Sequence, residues 1–388
     1  MDYFPRQIEA ELHEVSKKYP VITITGPRQS GKTTLVRTIF NELPYYNLEN
    51  PDVRALLKTD PRSFINANPA GAIIDEVQHV PELLSYLQQT VDERKIDVTY
   101  VLTGSNQFSI LNSISQSLAG RTAILKLLPL SLNEILDVLP DKTDDILYRG
   151  FYPAIYSQDL NPTKSYRYYY ETYLERDLRQ MIQIKDLDLF QKFIRICAGR
   201  IGNIFNASSI ANEIGASVPT IKSWMSILQA SYIVMLLQPY YENINKRLIK
   251  SPKIYFYDVG LASYLLGIED FKQISRDPLR GGLFENLIVM ELVKYRFNQG
   301  LNHNLYFYRD SHHNEIDIVF KKGQELYAFE IKSAQTFHPG FLKGLNYFDS
   351  VFNDRVKQKF LVYDGTFEHV LDKKHVINFR NLTSSLLF

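Results

Sequence analysis

The chain has 388 residues, and at roughly 150 residues per domain it holds two or three domains. Hydrophobic residues at 45% and charged residues at 22% supply both a core and a solvated surface, which excludes a long disordered protein. With 44 Lys+Arg against 43 Asp+Glu the net charge is +1, which excludes a uniformly basic DNA-coating protein but not a local basic patch.

The first twenty residues, MDYFPRQIEAELHEVSKKYP, carry acidic side chains and no apolar stretch, so no secretory signal is expected. No run of about 18 apolar residues occurs, so no membrane span is expected, and the expected location is cytoplasmic. The lone cysteine, Cys197, excludes an internal disulfide framework and a Cys-based zinc site, and fits a reducing compartment. Strand-like Val21–Thr25, Ala72–Ile74, Val98–Leu102 and Ala123–Leu128 alternate with helix-like stretches near 33–40, 52–58, 81–93 and 107–118. That alternation predicts a parallel α/β sheet.

Gly26-Pro27-Arg28-Gln29-Ser30-Gly31-Lys32-Thr33 fits GxxxxGK[ST] at every fixed position, with Thr34 next in line. It follows an apolar strand and opens a helix, the context a phosphate loop requires. The glycines let backbone N–H groups and the helix N-terminus face an anion. Lys32 is expected to reach the β- and γ-phosphates and the Thr33 hydroxyl to coordinate Mg²⁺. Ala72-Ile73-Ile74-Asp75-Glu76 is an apolar strand ending in two carboxylates. Asp75 is the expected Mg²⁺ carboxylate and Glu76 the group that orients or deprotonates the attacking water. Thr103-Gly104-Ser105-Asn106 ends the next strand, and Ser105 or Thr103 is the polar group expected between Asp75 and the γ-phosphate. Arg121, between a helix and the following strand, is placed to reach a neighbouring subunit's γ-phosphate.

This order of motifs resembles the AAA+ ATPase superfamily. The segments TGPRQSGKTTL, NLENPDVRALL, IIDEVQ, LTGSNQF, SLAGR and LPLSLNEI are similar to a bacterial and archaeal family of AAA+ ATPases with a C-terminal domain of unknown function. The resemblance spans essentially the whole chain. It implies ATP and Mg²⁺ as cofactors, and a homo-oligomer if Arg121 acts in trans. A Gly-x-Pro element in the lid of related ATPases touches the nucleotide base; Gly150-Phe151-Tyr152-Pro153 is similar with one extra residue, so Pro153 is carried over. Arg149 and Arg176 are the candidates for a lid arginine.

Residues 131–200 read as helical, with a tyrosine-rich stretch at Tyr166–Tyr173 expected to serve packing rather than base stacking. Ser208–Ile214, Gly215-Ala216 and Ser217–Gln229 read as helix, turn, helix, with Ile221, Met225 and Leu228 on one buried face. Strand-like runs at 232–237 and 253–257 flank Lys246, Arg247 and Lys250. That is the layout of a winged helix, with Lys222 and Ser223 exposed on its second helix; its ligand, DNA or protein, stays open.

Toward the C-terminus, Glu285 lies in a helix, Asp317 in a strand, and Glu330 and Lys332 share one face of the next strand. The E…D…ExK order resembles the PD-(D/E)XK nuclease fold. By that resemblance Glu285 supports the metal shell, Asp317 and Glu330 bind Mg²⁺ or Mn²⁺, and Lys332 handles the water. His312 and His313 are expected in a solvated loop.

The expected architecture is α/β: an AAA+-type P-loop ATPase core (1–135), a helical lid or connector (136–200), a winged helix (201–275) and a nuclease-like domain (276–388). Two functions stay open. In one, ATP state is coupled to DNA binding or processing. In the other, a nucleotide-dependent switch or scaffold binds a protein partner and the nuclease-like domain is inert.

Overall fold

The computed structural model describes residues 3–94, 99–104, 114, 117–175, 186–241 and 251–386. The first sheet contains β1 (Val21–Thr25), β2 (Tyr45–Asn47), β3 (Gly71–Asp75), β4 (Thr99–Gly104) and β5 (Thr122–Lys126). Its order is β2-β3-β4-β1-β5 and every pairing is parallel. Two apolar clusters cover its faces, one built on Ile22, Ile24, Leu35 and Val101, the other on Ile74, Leu84, Leu87 and Leu102. Burial on both faces of β1, β3 and β4 explains why these three read as apolar runs. The carboxyl ends of β1, β3 and β4 share one edge, where ligands of open α/β sheets bind.

Short helices Thr143–Arg149, Pro153–Ser157 and Pro162–Tyr169 follow, then a wider helical turn at Tyr170–Glu175. Tyr166, Tyr169, Tyr170 and Tyr173 are buried, whereas Tyr168 is 58% exposed. Their i, i+3, i+4, i+7 spacing makes one inward face, so the tyrosines pack the core. Gly150 has φ +64°, and a Cβ there would overlap the Tyr166 hydroxyl and Asp258 Oδ1. Buried Asp258 accepts from the Phe151 N–H (2.7 Å), the Leu261 N–H (2.9 Å) and the Tyr166 hydroxyl (2.6 Å).

Helices Leu187–Gly199, Ala207–Ile214 and Val218–Ala230 come next, N-capped by Asp186, Asn206 and Ser217. Gly215 ends the second in a left-handed conformation (φ +75°). The antiparallel pair β6 (Val234–Leu237) and β7 (Lys253–Phe256) completes this unit. Ile221, Trp224, Met225 and Leu228 are buried, and Cys197 is buried in the same core. Lys246, Arg247 and Lys250 lie outside the described residues.

The last unit starts with the helix Arg280–Phe297. The meander β8 (Leu305–Arg309), β9 (Glu315–Lys322) and β10 (Glu325–Lys332) follows, then the helix Lys343–Phe352, β11 (Val356–Tyr363), β12 (His369–Leu371) and β13 (Lys374–Asn378). The sheet order is β12-β13-β11-β10-β9-β8, with β10 and β11 parallel across the Lys343–Phe352 crossover. The Arg280–Phe297 helix ties this unit to the rest of the chain. Arg280 donates to Asp144 (2.7 Å) and Asp364 (2.8 Å), and Lys294 and Glu291 reach the 130–132 segment. Among the described residues, no helix is long and apolar enough to cross a membrane.

Candidate nucleotide site and the C-terminal carboxylates

The loop after β1 is built around its glycines. Gly26 (φ +151°) lies against the Leu127 carbonyl with no room for a Cβ, and Gly31 (φ +93°) turns the chain into the helix Lys32–Ile39. Lys32 is buried, and its Nζ donates to the carbonyls of Gly26 (3.0 Å) and Pro27 (2.7 Å). Burial pushes the Lys32 ammonium down to about 8, against the upward pull of Glu76 and Asp75. These are weak partners for a cation, and a phosphate offers stronger, charge-assisted ones.

Asp75, at the end of β3, sits between three hydroxyls. Thr33 Oγ1 and the Tyr45 hydroxyl each donate to Oδ2 at 2.7 Å, and the Thr103 hydroxyl donates to Oδ1. Thr103, on β4, is thus the polar strand-end group that touches Asp75; Ser105 lies outside the described residues. Tyr45 was not foreseen: the Tyr45–Asn47 strand is three residues long and lacks an apolar run. Burial and the Asp75 carboxylate push the Tyr45 hydroxyl's pKa up. Tyr45→Phe removes one of the three donors and is expected to cost about 1 kcal/mol, read as a lower urea midpoint.

Glu76 follows at φ +56°, a left-handed conformation that costs a non-glycine residue on the order of 1 kcal/mol. It receives a hydrogen bond from the Gln78 side-chain amide. Glu76 lines a cleft of about 670 Å³, together with Arg28, Gln29, Gly31, Lys32, Thr33 and Thr34. The opposite wall comes from the following helices through Pro153, Ser157, Gln158, Tyr169 and Tyr173. The Arg28 guanidinium lies 5.3 Å from the Tyr173 ring centroid, bridging the two walls. An apolar annex lined by Tyr3, Phe4, Leu130 and Pro153 adjoins the cleft. Ser30 is buried, and its carbonyl accepts from Arg6 Nη1 (2.8 Å), while Arg6 Nη2 donates to the Leu128 carbonyl (2.7 Å). Arg6 thereby fastens the N-terminal segment to the phosphate loop, a role no sequence motif signals.

Arg121 is not in the cleft. It makes a two-pronged ion pair with Asp92 (2.6 and 2.8 Å) at the surface. Arg149 pairs with Asp145 (3.0 Å), and Arg176 lies outside the described residues.

In the C-terminal unit Glu285, Asp317 and Glu330 come near enough to interact electrostatically. Each is engaged by a donor. Lys253 Nζ lies 3.1 Å from Glu285 Oε1 and 2.5 Å from Glu315 Oε1. The Tyr255 hydroxyl also donates to Glu285. The Ile331 N–H donates to Asp317 Oδ2 (2.7 Å), and Lys332 donates to Glu330 Oε1 (2.6 Å). Burial pushes the Glu330 carboxyl up to about 8, with Asp317 adding to the shift and Lys332 opposing it. Among the described residues, no three or more His, Cys, Asp or Glu side chains are grouped so as to hold a metal ion. One oxygen each of Glu285, Asp317 and Glu330 accepts from an N–H or O–H donor, whereas Glu330 Oε2 is buried without a hydrogen-bond partner. His312 and His313 are exposed.

Residues 18–136 match a family described as "AAA domain"; residues 140–272 and 280–382 match two domains of unknown function, DUF8612 and DUF4143. With the parallel sheet and the phosphate loop, residues 18–136 are an AAA-type P-loop ATPase domain, a module that binds and hydrolyses ATP. The chain belongs to the family of two uncharacterized mycobacterial proteins, Rv2008c of Mycobacterium tuberculosis and Mb2031c of Mycobacterium bovis. It is 30% identical to each over 335 residues, covering 85% of this chain and 74% of theirs. The Walker-type ATPase PABY2304 of Pyrococcus abyssi is similar at 15% identity and a TM-score of 0.46, over 68% of this chain and 96% of that one.

Proposed function

We propose that the protein is a Mg²⁺-dependent ATPase acting as a nucleotide-dependent switch, whose C-terminal units engage a partner without cleaving DNA. The observation that carries this is the two-walled cleft. Phosphate-binding residues line one side and the 153–173 helices the other, so a nucleotide bound there touches both and its loss frees them.

Residues 26–34 cradle the phosphates, with Lys32 leaving the Gly26 and Pro27 carbonyls for the β- and γ-phosphates. Pro153 and Phe4 present an apolar surface to the base. The Thr33 hydroxyl and Asp75 are hard oxygen donors side by side, the kind of set that suits Mg²⁺. When bound, Mg²⁺ would neutralise charge developing on the phosphate oxygens. Thr103 and Tyr45 hold Asp75 in orientation, and Glu76 accepts the proton of the attacking water. Arg121, surface-placed and held by Asp92, serves a neighbouring copy's site in a homo-oligomer.

The three helices and the β6–β7 pair follow the order of a winged helix, and the C-terminal unit follows that of a PD-(D/E)XK fold. Lys222 and Ser223 are exposed on the second helix. The second helix itself offers one lysine, Lys222, to a phosphate backbone, which favours a protein partner for that helix. The Lys253–Glu285 and Lys332–Glu330 ion pairs favour the non-cleaving reading over a metal nuclease.

Phosphate release from ATP tests the ATPase part. It is expected to need Mg²⁺, to stop with a chelator, and to fall in Lys32→Ala through weakened ATP binding. Release unchanged by Lys32→Ala would overturn the assignment of the cleft.

A further inference from the structure

We infer that Tyr232 is a positioning residue for the nucleotide site: its hydroxyl holds Thr25 at the root of the phosphate loop. It thereby links ATP affinity to the unit formed by the three helices and the β6–β7 pair. The inference rests on the reading of the cleft as the ATP site and deepens the switch reading by naming its link.

Tyr232 lies just past the helix Val218–Ala230. That helix closes with two backbone bonds, from the Tyr232 N–H to the Gln229 carbonyl (3.1 Å) and from the Ile233 N–H to the Leu228 carbonyl (2.9 Å). Such a closure puts one residue in the left-handed region, and glycine usually fills the place. Tyr232 fills it at φ +55°, a rare conformation for a bulky side chain. Its ring is buried and meets the Tyr257 ring edge-on, with centroids 5.4 Å apart. Its hydroxyl lies 2.9 Å from Thr25 Oγ1, a residue 207 positions earlier. The Thr25 hydroxyl can donate to the Leu125 carbonyl (3.4 Å) and still accept from Tyr232. Thr25 ends β1 and directly precedes Gly26.

The loop that Thr25 begins is already shaped for phosphate. The Thr25 carbonyl accepts from the Leu127 N–H (2.8 Å), Gly26 packs on the Leu127 carbonyl, and Gly31 opens the following helix. A bond that holds this shape favours the binding-competent state, and its loss weakens apparent affinity as that state is depopulated. The same unit also holds the opposite wall. Asp258, next to Tyr257, accepts from the Phe151 N–H (2.7 Å) and the Tyr166 hydroxyl (2.6 Å). The unit thus grips both sides of the cleft, so by reciprocity a ligand that shifts it also shifts ATP affinity.

The test is the ATP affinity of the full-length protein, measured with a fluorescent analogue. Tyr232→Phe keeps the ring and removes the hydroxyl. It is expected to weaken binding about 2–10-fold, the worth of one buried neutral hydrogen bond, with turnover at saturating ATP unchanged. Thr25→Val should also weaken binding, and the double variant no more than Thr25→Val alone, because both changes remove the same bond. In the unaltered chain ATP is expected to slow amide hydrogen exchange across residues 218–233, and Tyr232→Phe should reduce that protection. Should a variant fail to fold, the exchange result on the unaltered chain decides. Unchanged ATP affinity in a folded Tyr232→Phe, even with a lower urea midpoint, overturns the inference. So does exchange across 218–233 that ignores ATP. ATP binding that survives Lys32→Ala undiminished would instead overturn the reading of the cleft itself.

Discussion

Glu76→Gln is expected to bind ATP as the unaltered protein does and to release phosphate about 10²–10⁴-fold more slowly, the usual worth of a positioned general base. The exchange keeps the side chain's size and so keeps the cleft wall that Glu76 forms with Lys32 and Thr33. It removes the one property an amide lacks, the ability to take a proton from water. Asp75 cannot substitute. Its two oxygens accept from Thr33, Tyr45 and Thr103, so it is oriented and occupied. Titration with a fluorescent ATP analogue measures binding, and phosphate release measures turnover. Turnover at the unaltered rate would remove Glu76 from the mechanism. Loss of binding together with turnover would mean the substitution disturbed the left-handed turn at residue 76.

The nucleotide site was legible in the sequence because its residues are local. Residues 26–34 form one turn of loop and the start of one helix, and Asp75-Glu76 ends one strand, so spacing carries the geometry. Tyr45 was not legible: it reaches Asp75 across neighbouring strands, from a run too short and too polar to read as a strand. Arg6 was hidden for the same reason, since its partners lie at residues 30 and 128. The tyrosine stretch could be read because i, i+3, i+4, i+7 spacing fixes a helix face wherever the helix goes. The C-terminal strands were legible too, but what their carboxylates bind was not. The order of Glu285, Asp317, Glu330 and Lys332 suits a metal on paper. Lys253, which pairs with Glu285 and Glu315, was not legible either, because it arrives from a strand 32 residues before Glu285. A motif names candidate ligands; it cannot name a cation that folding brings in from elsewhere.

The same point bears on how the nucleotide cleft reaches the C-terminal unit. The cleft's far wall belongs to helices whose Phe151 and Tyr166 are held by Asp258. The 130–132 segment that leads into those helices is gripped by the Arg280–Phe297 helix. That grip consists of two charged side chains in a dry core, which makes it both strong and easy to break from one side.

Lys294→Met is accordingly expected to lower stability by about 3–5 kcal/mol, the cost of leaving one member of a buried ion pair alone. Lys294 Nζ lies 2.8 Å from Glu291 Oε1 and donates to the Leu130 carbonyl at 2.7 Å. It also sits 4.0 Å from the Phe151 ring centroid. Glu291 Oε2 accepts from the Leu132 N–H at 2.9 Å, and both side chains are almost wholly buried. Methionine fills the space of the aliphatic stem but leaves Glu291 charged with no cation and the Leu130 carbonyl without its donor. Domains commonly have only about 5–15 kcal/mol in total, so the loss should appear as a large drop in the urea midpoint. Adding Glu291→Gln removes the stranded charge and keeps an oxygen for the Leu132 N–H. The double variant is therefore expected to recover most of the midpoint, a non-additivity that a mere loss of packing at residue 294 would not produce. An unchanged midpoint in Lys294→Met would show that the pair does not hold the ATPase domain and the C-terminal helix together.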